Sequence, residues 1–205
     1  MTRTLRNRSL AAAAAALSAL SFAPVASAGP LVASAPNCDA QSLSQPFLPW
    51  ADVASYTLDP GGSFERGAKG WSLDNAAIKD GNEPFYVTAA DDAKSLHIAQ
   101  GGSATSAPIC VGLEHPDIRF FAKGGNPGAV LKVEVLFETA GGDVLTAPIG
   151  VVAAGTDWSP SAPMPIVANL LPLLPGSYTP VAFRFSASGG CFRIDDVYVD
   201  PYSKG

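Results

Sequence analysis

The chain has 205 residues, a net charge of −5, 47% hydrophobic and 15% charged residues, and contains 20 glycines and 18 prolines. Its length favours a single domain and excludes a large enzyme barrel. The acidic balance argues against a nucleic-acid binder, and the hydrophobic content excludes a disordered chain.

The first 28 residues have the pattern of a secretory signal peptide. Arg3, Arg6 and Arg8 precede an apolar run with six consecutive alanines, and residues 26–28 are the small residues Ala-Ser-Ala. The run is shorter than the roughly 20 residues that span a bilayer. We therefore expect cleavage after Ala28 and a secreted protein without a membrane span, the alternative being a buried alanine-rich helix. Cleavage would remove three arginines and no acidic residue, which makes the mature chain more acidic.

Residues 29–54 are predicted to form an N-terminal segment and residues 55–205 a single β domain. The clearest strand is 129–138, where apolar side chains alternate with Lys132, Glu134 and Glu138. The segments 117–123, 181–186 and 192–198 alternate in the same way, with Phe192, Ile194 and Tyr198 expected on one side. Weaker candidates are 55–58, 76–79, 84–88, 95–99, 104–111, 143–151 and 159–167.

Turn signals rich in glycine separate these strands, at 60–62, 80–82, 101–102, 124–128, 141–143 and 189–190. The Gly141-Gly142-Asp143 signal predicts a hairpin. Strands at such short spacing predict an all-β fold, a two-sheet antiparallel β-sandwich of the jelly-roll type.

The three cysteines are Cys38, Cys110 and Cys191, an odd number that leaves one thiol over in an oxidising compartment. We favour a disulfide between Cys38 and Cys110, which would tie the N-terminal segment to the sandwich. It would close a loop of about 70 residues and stabilise the fold by roughly 3–5 kcal/mol. Other pairings stay open.

Two segments carry a family resemblance. Residues 58–67 read LDPGGSFERG, followed by Gly70-Trp71, and the chain closes with FRIDDVYV at 192–199. This order resembles carbohydrate-binding modules of the galactose-binding-like jelly-roll superfamily, with one departure, since Asp59 stands where those modules usually carry asparagine. The mature chain is also similar to a family of secreted actinobacterial proteins without an assigned activity, at Pro49-Trp50, residues 81–85 and residues 115–121. The fold alone does not imply sugar binding.

The resemblance implies a structural calcium ion. In those modules a glutamate after the first phenylalanine and an aspartate of the last strand are ligands, which carries over to Glu65 and Asp196, with Asp195 as a third candidate. Calcium takes 6–8 oxygen ligands, and carboxylates distant in sequence can supply them. The alternative is that these carboxylates form salt bridges or accept backbone hydrogen bonds.

Sugar binding needs exposed aromatic rings beside polar side chains. The aromatic candidates are Trp50, Trp71, Tyr86, Trp158 and Tyr178, of which Trp71 follows the glycine turn and is expected in the core. Asn82 and Glu83 stand next to Phe85 and Tyr86. We therefore expect a shallow ligand site at Asn82, Glu83, Tyr86 and Trp158.

Catalytic patterns are poor in this sequence. The two histidines are His97, on a predicted strand, and His115, in a predicted loop, and neither a Gly-x-Ser-x-Gly nor a His-Glu-x-x-His pattern occurs. The sequence therefore predicts a secreted, non-catalytic binding module whose leading partner is a polysaccharide or glycan. The alternative is a cell-envelope or protein-interaction protein. In that case the proline-rich stretch 160–175 would be its exposed apolar contact surface.

Overall fold

The computed structural model describes residues 29–35, 41–112, 116–139, 141–153, 155–166 and 178–201. Within these ranges there are a short helix α1 (Pro30–Ser34), a 3-10 helix (Leu48–Trp50) and eleven strands. The strands are β1 (Thr57–Leu58), β2 (Ser72–Asp80), β3 (Lys94–Thr105), β4 (Ile109–Val111), β5 (Asp117–Gly124), β6 (Val130–Glu138), β7 (Val144–Val152), β8 (Ser159–Pro160), β9 (Met164–Pro165), β10 (Thr179–Ser188) and β11 (Phe192–Asp200).

The described strands pair antiparallel and form a curled sheet in the order β7-β6-β10-β3-β11-β5-β8, which confirms the predicted all-β class. The first half of β3 pairs with β11, at Leu96 and Ile98, and the second half pairs with β10, at Ala104. We call the second half of β2, the first half of β3, β11 and β5 the first layer, and β4, β6, β7 and β10 the second. The strand β3 belongs to both layers, and β2 follows it, because Leu73 pairs with Ala104 and Ile78 with Leu96.

The pair Gly101-Gly102 lies where β3 passes between the layers. The sequence predicted a turn there, and the structure instead places both glycines inside one twelve-residue strand. Gly101 has a φ of +78°, and a Cβ on Gly102 would lie 2.6 Å from the Asn75 carbonyl oxygen. Glycine therefore permits a sharp bend within the strand, as expected where two backbones approach closely.

The main core lies between the two layers. The alternation predicted for β5, β6 and β10 is confirmed, because their predicted inward residues belong to this cluster together with Phe64, Trp71 and Phe192. Trp71 is 9% exposed and its indole N–H donates to the Pro60 carbonyl oxygen at 2.9 Å. The prediction that Trp71 is a core residue is therefore confirmed.

The strand β11 does not alternate along its whole length. Asp196 has a φ of +45°, and the pairing with β5 shifts between Asp195 and Tyr198. This bulge adds a residue, so Val197 and Val199 continue the inward row that Phe192 and Ile194 begin. The expectation that Tyr198 faces the same side as Ile194 was therefore wrong.

A second cluster lies on the opposite surface of the first layer, under the N-terminal segment. Its buried members are Phe47, Tyr56, Phe121 and Tyr198. Arg119 of β5 lies 4.2 Å from the centroid of the Phe47 ring and forms a 2.7 Å salt bridge with Asp52. The segment 44–58 is therefore attached to the sheet by aromatic packing and a buried ion pair.

Several other predicted elements differ from the observed ones. Residues 84–88 form turns and bends instead of a strand, and the 159–167 candidate is reduced to the two-residue strands β8 and β9. The β6–β7 hairpin at Gly141-Gly142-Asp143 is confirmed by the pairing of Glu138 with Val144. Residues 1–28, Cys38, His115 and residues 167–175 of the proline-rich stretch lie outside the described residues.

Cys191 carries a free thiol, and Cys110 is fully buried in β4. The Cys38–Cys110 pairing stays a prediction. No helix in the described ranges is both long and apolar enough to cross a membrane.

Candidate functional site

The surface of the first layer that points away from the main core carries a row of basic side chains. His97 of β3 pairs with Arg193 of β11, which pairs in turn with Lys123 of β5. Paired residues of neighbouring antiparallel strands project from the same face. The residues before and after each of them, such as Ile98, Ile194 and Ala122, point into the core. These three side chains, the basic row, therefore lie side by side on the outer face.

Trp158 ends the basic row. Ser159 and Pro160 pair with Ala122 and Phe121, which places Trp158 across from Lys123. The Lys123 ammonium nitrogen lies 5.3 Å from the centroid of the Trp158 ring. This is a cation–π contact that holds a charge over an aromatic surface that is partly open to solvent.

Arg193 is fixed by the turn after β2. One of its terminal nitrogens donates to the carbonyl oxygens of Lys79, Asp80 and Gly81, at 3.1, 2.7 and 2.8 Å. The Arg193 Nε atom is buried and contacts no acceptor among the described residues. The pKa of His97 is lowered by partial burial and by the positive charges of Arg193 and Lys79, so His97 is neutral near pH 7.

A group of aromatic rings, which we call the aromatic wall, lies beside the basic row and consists of Phe121, Trp50 and Phe85. Phe121, paired with Asp195 in the next row of the sheet, lies at its base, and the Trp50 and Phe85 rings each lie 5.4 Å from it. Trp50 and Phe85 contact each other edge to face at 4.9 Å. Phe85 is 42% exposed and Tyr86 is 50% exposed. The N-terminal segment and the turn 82–88 thus bring aromatic surface to one edge of the outer face.

The four residues predicted to bind a ligand have different environments. Trp158 is half-buried at the end of the basic row and Tyr86 is exposed. Asn82 is half-buried, its amide nitrogen donates to the Glu83 carbonyl oxygen, and its amide oxygen has no partner among the described residues.

Glu83 is fully buried. Its carboxylate accepts hydrogen bonds from the backbone N–H groups of Phe85 and of Val87, the latter at 3.1 Å. Glu83 therefore holds the turn and is not exposed for a ligand, which corrects its predicted role.

Asp196 is the central residue of the predicted calcium site. Its Oδ1 atom accepts a hydrogen bond from the Thr88 hydroxyl at 2.8 Å, whereas Oδ2 is buried without a partner among the described residues. Burial, together with the charges of Glu83, Asp92 and Glu65, raises the pKa of Asp196 to about 7. The calcium site at Glu65 and Asp196 stays a prediction.

The other two predicted metal ligands are already hydrogen-bonded. Glu65 Oε1 accepts from the backbone N–H groups of Ala93 and Lys94, at 2.9 and 2.6 Å. Both oxygens of Asp195 accept backbone bonds, from Glu83 and Asp196 at 3.1 and 3.0 Å, so Asp195 fits poorly as a ligand. Burial and the Asp196 charge raise the pKa of Asp195 to about 9. In the described part of the chain, no group of three or more His, Cys, Asp or Glu side chains is arranged to hold a metal.

The sequence did not single out Arg193 and Lys123 as a site. Each lies at an outward position of an alternating strand, and the sequence pattern predicts that position. Their adjacency depends on β11 pairing with both β3 and β5, and the order of strands in a sheet is not encoded in periodicity.

No protein-family model matches the sequence, and no curated protein matches it. Among solved structures, the tandem family 22 carbohydrate-binding modules of Paenibacillus barcinonensis Xyn10C are similar, with a TM-score of 0.50 and 13% identity over 75% of this chain and 47% of that one. The single xylan-binding module of the same enzyme has a TM-score of 0.48 and 14% identity, over 70% of this chain and 94% of that one.

A Clostridium thermocellum xylanase 10B structure gives a TM-score of 0.46 and 16% identity over 73% of this chain. This chain spans 28% of that structure and 21% of a bacteriophage CBA120 tailspike enzyme domain that is also similar. The likeness supports the fold alone, and the predicted jelly-roll class is confirmed.

Proposed function

We propose that this chain is an exported, non-catalytic carbohydrate-binding module. The observation that carries the proposal is the outer face of the first layer, where half-buried Trp50 and Trp158 and exposed Phe85 lie beside polar and basic groups. A shallow surface of aromatic rings with a few fixed hydrogen-bonding groups suits a sugar ring, which offers one apolar face and a rim of hydroxyls. The modules of similar fold include one named as xylan-binding and one solved with a galactotriose.

Affinity gel electrophoresis of the mature chain against a panel of soluble plant and bacterial polysaccharides tests this function. We expect at least one polysaccharide to retard the wild type, and Trp158→Ala to weaken the retardation by roughly tenfold or more. The control is Leu145→Ala, which removes a 48% exposed side chain on β7, far from the face in the order of strands. Absence of retardation by every polysaccharide would contradict the proposal.

We further propose a structural calcium ion held by Glu65 and Asp196 with backbone carbonyl oxygens. The buried, unpartnered Oδ2 of Asp196 supports it, because a buried carboxylate oxygen needs a cation or a donor. Calcium would neutralise the charge gathered around Asp196 and stabilise the folded chain by mass action.

Thermal unfolding in millimolar Ca²⁺ and in chelator measures this effect. We expect a higher Tm in Ca²⁺ for the wild type and no Ca²⁺-dependent change for Asp196→Asn. Asp143→Asn, in the exposed β6–β7 turn, should keep the wild-type response. A wild-type Tm that does not respond to Ca²⁺ would exclude the ion.

The second candidate function is protein interaction at the outer edge of the second layer. Strand β7 ends the sheet and exposes Val144, Leu145 and Val151, which are 39%, 48% and 64% exposed. An apolar edge strand is a surface on which another chain can add a strand. Under this alternative, Leu145→Ala and not Trp158→Ala would abolish the biological interaction.

A further inference from the structure

We propose that the outer face selects saccharides that carry carboxylate groups, such as chains of uronic acids, and that Lys123 and Arg193 bind those groups. The inference rests on the proposed carbohydrate-binding function and adds the charge of the ligand to it.

The charge of this face is opposite to that of the whole molecule. The chain has a net charge of −5, yet the positive charges of Lys79 and Arg193 act on His97, and Lys123 lies next to Arg193 on the neighbouring strand. The described salt bridges join Arg119 to Asp52 and both Lys132 and Arg184 to Glu134. In the described part of the chain, neither Lys123 nor Arg193 is paired with a carboxylate.

The acidic side chains near the basic row do not neutralise it. Asp195, in the adjacent row, is fully buried, and both of its oxygens are taken by backbone N–H groups. Lys123 and Arg193 are therefore cations that form no ion pair among the described residues, and the partner we infer for them is an anion from outside the chain.

The geometry favours a chain-like anion over a single ion. Neighbouring strands lie about 4.8 Å apart, so the row from His97 through Arg193 and Lys123 to Trp158 spans roughly 15 Å. Three backbone carbonyl oxygens already hold the guanidinium group of Arg193. Binding a ligand therefore costs little of the conformational entropy of this side chain. A ligand lying along this row would meet two cations in succession, the Arg193 guanidinium and the Lys123 ammonium.

The aromatic groups favour a saccharide over a phosphate polymer. Lys123 lies over the Trp158 ring, so a group that bonds the ammonium also contacts the ring. Trp50 and Phe85 meet edge to face beside the row instead of forming parallel platforms on which successive nucleobases could stack. A carboxylated sugar uses both parts of the site, with its ring on Trp158 and its carboxylate on Lys123.

Isothermal titration of the mature chain with polygalacturonate and with its fully methyl-esterified form tests the inference, because only the carboxylate charge differs. We expect the acid form to bind at least about fivefold more tightly at low ionic strength, and added salt to remove most of that difference. Lys123→Gln should abolish the preference, and its control is Lys132→Gln on the second layer, a lysine that is exposed. Lys123 is substituted in place of Arg193 because the hydrogen bonds of Arg193 also hold the turn after β2.

Each outcome decides a different point. Equal binding of the two polymers, or preference for the ester, would overturn this inference and leave the carbohydrate-binding function standing. Binding of neither polymer and of no neutral polysaccharide would overturn both. A preference for the acid form that survives Lys123→Gln would show that the carboxylate binds elsewhere. Tighter binding of an oligothymidylate of equal charge would assign the face to nucleic acid.

Discussion

At the scale of single residues, Asp59 conflicts most clearly with its surroundings. It is fully buried in the turn between β1 and β2, and neither carboxylate oxygen has a partner among the described residues. The nearby Ser106 hydroxyl donates to the Ala107 carbonyl oxygen. Burial raises the pKa of Asp59 well above its ordinary value.

This position predicts a pH-dependent stability. A carboxyl group with a raised pKa binds its proton more tightly in the folded state, so the free energy of unfolding falls as the pH rises above about 4. Asp59→Asn removes the titration and should stabilise the chain at pH 7 by about 1–3 kcal/mol. Urea unfolding at pH 4 and pH 7 measures both effects.

The exposed Asp74 on β2 offers the matched control, since Asp74→Asn should change neither value by more than about 0.5 kcal/mol. If Asp59→Asn keeps the pH dependence of the wild type, then another group causes it.

At the scale of elements, the N-terminal segment and β3 determine where the outer face lies. The segment 44–58 attaches to β5 through Phe47 and the Asp52–Arg119 pair, whose side chains are 12% and 7% exposed. Asp52 also accepts bonds from the Tyr56 hydroxyl and the Ala54 backbone N–H. Because Trp50 follows Phe47 within one turn of 3-10 helix, this attachment also positions the aromatic wall.

Asp52→Ala should lower the free energy of unfolding by about 3 kcal/mol, because it leaves the Arg119 charge buried without its carboxylate. Chemical denaturation gives the value. Lys132→Ala breaks an ion pair whose lysine is 49% exposed, and should cost less than about 1 kcal/mol. Similar costs for the two variants would show that the Asp52 pair contributes no more than a surface pair.

The bend in β3 makes a second prediction at this scale. A Cβ on Gly102 would meet three carbonyl oxygens, at 2.6 to 3.0 Å, and backbone atoms cannot move aside cheaply. Gly102→Ala should therefore cost roughly 2–3 kcal/mol. Gly155→Ala, where nothing lies within 4 Å, should be nearly neutral in the same thermal melts. A Gly102→Ala variant as stable as wild type would contradict the close approach.

The sequence predicted strands best where one face is buried and the other is not. Val133 and Phe183 alternate with polar or small neighbours, and their strands form as expected. It failed at Gly101-Gly102, because a bend inside a strand has the same local signature as a turn, and at Asp196, because the alternation of β11 did not indicate the bulge. It also failed at Glu83, because a buried carboxylate that caps a turn looks, in sequence, like an exposed one.

At the scale of the whole molecule, the predicted disulfide would link the sandwich to the N-terminal segment. Cys110 lies in β4 with no exposed surface, and Cys191 precedes β11 with a free thiol. If Cys38 pairs with Cys110 as predicted, reduction should destabilise the mature chain by roughly 3–5 kcal/mol. Peptide mapping without reductant should recover the linked peptides, together with an alkylated Cys191 peptide. A Cys191-linked peptide would overturn the pairing.

The strand β3 has a consequence for how the molecule unfolds. Because β3 pairs with β11 in the first layer and with β10 in the second, separating it from one layer disturbs its hydrogen bonds with the other. Amide hydrogens of β10 and β11 should therefore exchange with solvent through the same global opening, at matching protection factors, in place of two independent steps. The two layers would then act as one cooperative unit, and a ligand bound on the outer face of the first would slow exchange in the second as well.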